Sequence, residues 1–166
     1  MTKKGLRFKS FPIFLLSVAY VGFIPWAPGT WGSLVSMGLP YLFKALGLNI
    51  FFQLPLFILA TIFGATLCQK VQKKYDIHDP GWIVFDELLG MWLGSFFLPQ
   101  ITLFWVILLF VFFRFFDILK PFPVGTIDRK LTHGWGVMLD DLMAGIYAGL
   151  SLLIVAKVFE YYKIFL

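Results

Sequence analysis

The chain is a series of long hydrophobic runs separated by short stretches rich in proline, glycine or charge. The runs fall at about 11–24, 33–48, 50–69, 83–98, 101–116 and 142–159. Apolar runs bounded in this way predict helices. A helix needs about 20 apolar residues to cross the hydrocarbon layer of a bilayer, and only the run at 50–69 reaches that length. We therefore expect the other helices to extend into neighbouring polar segments or to lie where the bilayer is thinned.

This pattern predicts an all-α fold, a polytopic membrane helical bundle of about five spans plus an N-terminal re-entrant or interfacial helix at 11–24. Composition agrees, because 60% of the 166 residues are hydrophobic, 14% are charged and the mean hydropathy is +0.85. These values lie outside the usual range of soluble domains. The length suits a single membrane-embedded domain, residues 1–166. Cys68 is the only cysteine, so the chain has no internal disulfide.

A net charge of +5 does not indicate nucleic-acid binding here, because the basic residues lie in short clusters that flank hydrophobic runs. One cluster is formed by Lys70, Lys73 and Lys74, and another by the basic residues of 114–130. Such flanks are typical of the cytoplasmic side of a membrane and of contact with anionic lipid headgroups. The two hydrophobic runs between these clusters then form a hairpin. We therefore expect the two acidic segments of the chain to share the cytoplasmic face.

Eight of the nine carboxylates gather in two polar segments, and the first of these segments covers about 75–92. Within it, Asp86 and Glu87 are adjacent in a predicted helix. Adjacent carboxylates near a bilayer repel each other, and desolvation raises their pKa values. A divalent cation is therefore favoured as the partner that stabilises the pair. The alternative is a salt bridge to Arg114 or Lys120.

The second polar segment mixes carboxylates with cations. Arg114, Asp117 and Lys120 are spaced i, i+3 and i+6, which places them along one side of a helix before Pro121 ends it. Pairing alone would need one cation per anion, whereas Arg129 adds a third cation to a region that is also rich in acids. A concave site of this kind suits a phosphate monoester with Mg²⁺, because the metal bridges oxygens and basic side chains neutralise the rest.

Two further stretches are candidate parts of the same site. Asp140 and Asp141 precede the last hydrophobic run, where a helix N-terminus favours acids, so simple capping is one interpretation. Two adjacent acids on the same face as the first acidic pair instead favour metal binding. Gly29, Thr30, Gly32 and Ser33 start another predicted helix, whose backbone N–H groups and hydroxyls suit phosphate. Ordinary capping by Thr30 or Ser33 is the alternative there.

Other titratable residues in these segments carry weaker signals. Asp79 precedes Pro80 and fits a helix N-cap as well as it fits a site. His78 and His133 are potential proton carriers, yet isolated histidines in loops are more often incidental. Asp76 fits a solvated loop.

The polar segments resemble phosphatidylglycerophosphatase A, the bacterial lipid phosphatase family that converts phosphatidylglycerophosphate to phosphatidylglycerol. The resemblance rests on Pro28-Gly-Thr-Trp-Gly-Ser, Asp79-Pro-Gly-Trp-Ile-Val-Phe-Asp-Glu-Leu-Leu-Gly-Met-Trp, Arg114-Phe-Phe-Asp-Ile-Leu-Lys-Pro-Phe-Pro, Asp128-Arg and Gly136-Val-Met-Leu-Asp-Asp-Leu-Met-Ala-Gly. It implies Mg²⁺ dependence, an inner-membrane location and a role in phospholipid biosynthesis. The site that it implies consists of Asp86, Glu87, Asp117, Lys120, Asp128, Arg129, Asp140 and Asp141.

Residues and resemblance together predict Mg²⁺-dependent hydrolysis of phosphatidylglycerophosphate at the cytoplasmic membrane face, with membrane lipid as the other partner. The expected Mg²⁺ ligands are Asp86, Glu87, Asp140 and Asp141, and Asp117 and Asp128 are further catalytic carboxylates. The expected phosphate-binding residues are Arg114, Lys120, Arg129, Gly29 and Thr30. Attack on phosphorus by water and attack by a carboxylate, which gives an aspartyl-phosphate, both stay open.

Two rival functions fit the sequence less well. A CDP-alcohol phosphotransferase would need an Asp-Gly start to its acidic signature, and the sequence contains no Asp-Gly. A cation transporter should carry its acids in mid-span. Here the acids lie at the ends of the predicted spans, among lysines and arginines that would repel a cation.

Overall fold

A computed structural model describes residues 10–77, 80–122 and 134–163 of the chain. These ranges contain seven α-helices, one short 3-10 turn at Val21–Phe23 and no β-strand. The helices are α1 (Phe11–Leu16), α2 (Pro28–Ser36), α3 (Leu39–Ala45), α4 (Ile50–Tyr75), α5 (Phe85–Ser95), α6 (Leu103–Leu119) and α7 (Gly134–Tyr161). The prediction of an all-α fold is therefore confirmed for the described residues.

Helix α7 is the centre of the bundle and packs against α4, α5 and α6, while α2 packs on α5. The α5–α7 crossing is close because each helix contributes a glycine to it. A Cβ on Gly145 would overlap the Gly90 carbonyl group, and a Cβ on Gly90 would lie 2.6 Å from the Asp141 carbonyl oxygen. Small residues spaced four apart let helix backbones approach in this way.

Two described helices, α4 and α7, are long and apolar enough to cross a membrane. They contain 26 and 28 residues, which corresponds to lengths of about 39 and 42 Å. Helix α5 has only 11 residues, or about 16 Å. The expected count of about five spans is not supported.

The run at 33–48 shows one reason why the predicted number of spans is not supported. Its helix stops at Ser36, and α3 begins afresh with Pro40 in its first turn. Proline lacks a backbone N–H, so it fits the first turn of a helix and not the interior of a continuous one. A hydropathy average registers the apolar side chains and not this break in backbone hydrogen bonding.

The N-terminal run also departs from a single helix. After α1, the residues Val18, Ala19 and Tyr20 have φ values of 47°, 54° and 70°, a left-handed conformation that is unfavourable for side chains other than glycine. The turn returns the chain to α5, where the Val84 N–H donates a hydrogen bond to the Leu16 carbonyl at 2.9 Å. Re-entrant or interfacial placement of this segment stays a prediction.

The contacts of α4 define two ends of the bundle. Phe57, near its start, packs against the rings of Trp92, in the C-terminal half of α5, and Phe96, just after that helix. Gly134, which begins α7, lies against Gln69 further along α4. The last turn of α4, with Lys73 and Lys74, therefore lies at the same end of the bundle as the starts of α5 and α7.

Candidate active site

The close α5–α7 crossing brings three carboxylates together. Asp86 lies one helical turn before Gly90, and Asp141 lies one turn before Gly145. Because the two glycines meet, the residues one turn earlier face the same crossing. Asp86, Glu87 and Asp141 each contribute a carboxylate oxygen to a group whose members lie within 4.8 Å of one another. Carboxylate oxygens converging in this way form a candidate site for a hard divalent cation.

Asp86 and Glu87 lie in the first turn of α5, outside the two long helices, and burial dominates their electrostatics. Burial raises the pKa of Asp86 well above its ordinary value, and the neighbouring Glu87 carboxylate raises it further. Burial also raises the pKa of Glu87. The buried Oε2 atom of Glu87 has no hydrogen-bond partner within the described ranges. The ionised pair is therefore poorly satisfied by these protein groups, and a cation would supply the missing partner.

Two ion pairs form the cationic side of the site. The Arg114 Nη1 atom lies 2.6 Å from a carboxylate oxygen of Asp117 in the same helix, α6, and the Lys120 Nζ atom lies 2.9 Å from a carboxylate oxygen of Asp140. The alternative in which Arg114 or Lys120 forms a salt bridge to the α5 carboxylates is not found among the residues that the structure describes. These cations pair with the acids of α6 and α7 instead.

Asp140 differs from the other three predicted metal ligands. Its carboxylate forms an ion pair with Lys120, which follows the end of α6 with a φ of 44°. Asp140 is not part of the group of converging carboxylate oxygens. The capping interpretation of Asp140 and Asp141 is wrong, because α7 already includes Gly134, more than a turn earlier. The pair lies inside a helix, with one acid directed to a cation and the other to the α5 carboxylates.

The first turn of α2 forms another wall of the site. It follows Ala27, which has a φ of 48°. Gly29 lies so near the charged groups that a Cβ there would overlap Glu87 Oε1 and lie 3.2 Å from Arg114 Nη1. Gly29 lines the pocket, whereas Thr30 is not among the lining residues and its N–H donates to the Ala27 carbonyl at 2.9 Å.

Ser33 was predicted either to take part in phosphate binding at a helix start or to cap that helix. Helix α2 has no side-chain cap, and the Ser33 hydroxyl instead donates to the Gly29 carbonyl four residues earlier, at 2.8 Å. The same oxygen lies 3.5 Å from Arg114 Nη1. The four-residue spacing from Gly29 was visible in the sequence, but the approach of α6 was not.

The charged groups described above and Gly29 line one pocket with a volume of about 290 Å³. Its charged residues are Asp86, Glu87, Asp117, Asp140, Asp141, Arg114 and Lys120, and the remaining lining residues are Ala27, Pro28, Gly29, Gly81, Ile83 and Val137. Carboxylates outnumber cations by three in this set. If the acids are ionised, the pocket has a negative field that attracts a cation, and its basic groups can still bind an anion held by that cation.

The predicted site residues Asp128 and Arg129 lie outside the described residues, as do Asp79, His78 and His133. Their roles stay predictions. Asp76 is exposed and follows α4 with a φ of 50°, as expected for a loop residue.

Comparisons with known proteins give a consistent result. Residues 14–156 match the family model described as phosphatidylglycerophosphatase A. A Haemophilus influenzae protein of that name is 45% identical over 139 residues, covering 82% of this chain and 84% of the relative. An Escherichia coli protein of the same name is 38% identical over 136 residues, covering 81% and 78%.

A more distant relative carries another substrate in its name. It comes from Bacteroides thetaiotaomicron, is provisionally named phosphatidylinositol-3-phosphatase, and is 32% identical over 139 residues, covering 76% of this chain and 82% of the relative. No solved structure matches the chain.

Proposed function

Because the chain belongs to the phosphatidylglycerophosphatase A family and is a phosphatase, we propose that it converts phosphatidylglycerophosphate to phosphatidylglycerol in phospholipid biosynthesis. In this hydrolysis the bond between phosphorus and the glycerol oxygen breaks, and water supplies the oxygen that phosphorus gains. The leaving glycerol oxygen receives a proton, and inorganic phosphate is the second product.

One observation carries this proposal, namely that three converging carboxylates share a pocket with two cations. A phosphate monoester is an anion, so Asp86, Glu87 and Asp141 alone would repel it. Arg114 and Lys120 supply compensating positive charge in the same pocket. A site with both kinds of group suits a phosphate monoester together with a divalent cation.

Asp86, Glu87 and Asp141 are the residues that would hold Mg²⁺. The chemistry of the donor set fits, because Mg²⁺ prefers oxygen ligands and commonly binds protein through a few carboxylates. The buried, unpartnered Oε2 atom of Glu87 also fits a missing cationic partner. When bound, Mg²⁺ would neutralise charge on the phosphate and lower the pKa of water. Asp140, predicted as a fourth ligand, would instead orient Lys120.

The remaining pocket residues would bind and orient the phosphate. Arg114 has five N–H donors, and its pairing with Asp117 leaves others for phosphate oxygens. Lys120 can share its three donors between Asp140 and the substrate. Gly29 brings backbone close to the same space, because it has no side chain to occupy it.

We further propose that the enzyme is embedded in the bacterial inner membrane with its pocket at the cytoplasmic face. Helices α4 and α7 are long and apolar enough to span, and large side chains such as Phe51, Leu59 and Phe63 of α4 remain exposed. Lys73 and Lys74 end α4 at the pocket end of the bundle. Basic residues beside a span favour the cytoplasmic side.

The proposal is tested by measuring phosphate release from phosphatidylglycerophosphate in mixed micelles. The purified protein is assayed with Mg²⁺, with a chelator, and with phosphatidylinositol 3-phosphate as a competing head group. We expect Mg²⁺-dependent release and a preference for phosphatidylglycerophosphate. Asp141→Asn should lower kcat by about 10²-fold or more, because it removes a charged group from the site.

Glu160→Gln is the matched control, because Glu160 is an exposed acid of the same helix, α7, and pairs only with Lys157 among the described residues. It should leave kcat unchanged. Full activity of Asp141→Asn in the presence of a chelator would refute the metal site. A clear preference for phosphatidylinositol 3-phosphate would refute the proposed substrate.

A further inference from the structure

We infer that Ser33 is a positioning residue, which holds the Arg114 guanidinium against the first turn of α2 and so fixes the phosphate-binding side of the pocket. This inference rests on the proposed function, because it explains how the phosphate-binding residues of that site are held in position. Ser33 does not line the pocket. Its effect would be transmitted through Arg114 and Gly29.

The contacts of the Ser33 hydroxyl determine which partner it donates to and which partner donates to it. Ser33 is fully buried, and its hydroxyl donates to the Gly29 carbonyl at 2.8 Å. Arg114 Nη1 lies 3.5 Å from the same oxygen, at the long end of hydrogen-bond geometry. A hydroxyl has one hydrogen, and here it is used on Gly29, so toward Arg114 the oxygen can only accept. One atom therefore links the first turn of α2 to α6.

The Arg114 side chain is held from two sides through one nitrogen. Nη1 approaches Asp117 at 2.6 Å within α6 and Ser33 across the helix interface. The Nε atom is buried and makes no hydrogen bond within the described ranges. Nη2 makes none there either, and it is not among the buried unsatisfied atoms. Anchoring through Nη1 therefore leaves Nη2, within the described ranges, as a donor of this pocket-lining residue that is still available for an anion.

The backbone of α2 contributes to the same arrangement. Gly29 lies where a side chain would collide with Glu87 Oε1 and crowd Arg114 Nη1. The bond from Ser33 to the Gly29 carbonyl fixes this turn in the position that leaves room for both charged groups. Loss of the hydroxyl would remove both connections at once.

Ser36 provides a matched control on the same helix. It is nearly as buried as Ser33, and its hydroxyl makes the equivalent bond to the Gly32 carbonyl at 2.7 Å. Within the parts of the chain that the structure describes, it makes no hydrogen bond to a charged side chain. Ser36→Ala therefore removes the same intrahelical bond as Ser33→Ala without touching Arg114.

The test compares these variants as full-length purified proteins in detergent with Mg²⁺. Inorganic phosphate binding is measured by titration calorimetry and as competitive inhibition, and kcat and KM are measured on phosphatidylglycerophosphate. Ser33→Ala should weaken phosphate binding and lower kcat/KM by roughly five- to tenfold, the size expected for one hydrogen bond to a charged group. Ser36→Ala should stay within about twofold of the wild type, because it leaves Arg114 in place.

Equal effects of Ser33→Ala and Ser36→Ala on phosphate binding would overturn the inference, because they would indicate helix stability alone. An unchanged phosphate affinity in Ser33→Ala, or no phosphate binding by the wild type, would also overturn it. Should Ser33→Ala fail to fold, Ser33→Cys keeps the shape with a weak acceptor and must show the same loss. Altered phosphate binding without release from phosphatidylglycerophosphate would instead contradict only the proposed function.

Discussion

The two ends of α7 each take part in an ion pair with a short nitrogen–oxygen distance, yet the pairs are built differently. At the pocket end, Lys120 and Asp140 are 2.9 Å apart and their side chains are 31% and 8% exposed. At the far end, Lys157 and Glu160 are 2.7 Å apart and 80% and 71% exposed. The nitrogen–oxygen distance therefore does not indicate how much an ion pair contributes to stability or function.

The ion pairs at the two ends of α7 differ in burial and in the balance of charge around them. The far pair is one acid and one base on the same helix, an arrangement that solvent screens effectively. In the pocket the carboxylates outnumber the cations, and their burial makes each unmatched charge costly. Such an arrangement is expected at a site where a bound cation and substrate complete the charge balance.

The largest effect on both stability and activity is expected from forcing α5 and α7 apart. Gly145→Ala places a Cβ against the backbone carbonyl of Gly90, which cannot move as a side chain would. Overpacking of this kind costs about 1–3 kcal/mol of unfolding free energy. Displacement of the carboxylates should lower kcat by about 10²-fold. Melting temperature in detergent and phosphate release measure the two effects.

Gly81→Ala is the control for this prediction, because a Cβ there meets nothing within 4 Å although Gly81 lines the same pocket. It should have the same melting temperature as the wild type. Full stability and activity of Gly145→Ala would show that the close crossing does not build the site.

This crossing also shows how far the sequence predicts the site. Asp86, Glu87 and Asp141 were identifiable because adjacent acids beside an apolar run are unusual. The different role of Asp140 was not, since it depends on the left-handed conformation of Lys120. A side-chain partner across two helices is fixed by tertiary packing, which has no local sequence signal.

The helices were predicted with similar limits. Long apolar runs predicted the all-α class and the approximate positions of α4, α6 and α7. A long apolar run is a signal for a helix whether that helix is central or peripheral in the bundle. The division of 33–48 into α2 and α3 depended on backbone hydrogen bonding around Pro40. The left-handed turn at Val18 was also hidden, because β-branched side chains disfavour it and only contacts elsewhere hold it.

A smaller effect should come from removing the cation of the buried pair. Lys120→Met leaves Asp140 buried without this partner, which should cost about 1–2 kcal/mol, less than for a fully buried pair because Lys120 is partly exposed. Phosphate binding should also weaken. Lys157→Met removes the cation of the far pair and should change neither melting temperature nor activity. Equal effects of the two substitutions would remove the distinction between the ends of α7.

The smallest stability effect is expected from Asp86→Asn, and it should have the opposite sign. Burial and the Glu87 charge raise the folded-state pKa of Asp86. Without divalent cations, the wild type should therefore lose stability as pH rises through that raised pKa, because ionisation is then opposed in the folded state. Asp86→Asn should raise the melting temperature near neutral pH and reduce the pH dependence. Thermal melts in a chelator from pH 5 to pH 8 measure this, and a lower melting temperature for Asp86→Asn throughout would contradict it.

We propose that Asp86, Glu87 and Asp141 form a divalent-cation site at the α5–α7 crossing. Mn²⁺ binding followed by electron paramagnetic resonance tests it directly, because Mn²⁺ accepts the same oxygen ligands as Mg²⁺. The wild type and Glu160→Gln should bind Mn²⁺ equally well, and Mg²⁺ should displace it. Asp86→Asn and Asp141→Asn should weaken binding by at least about tenfold. Equal Mn²⁺ affinity in all four proteins would contradict the claim.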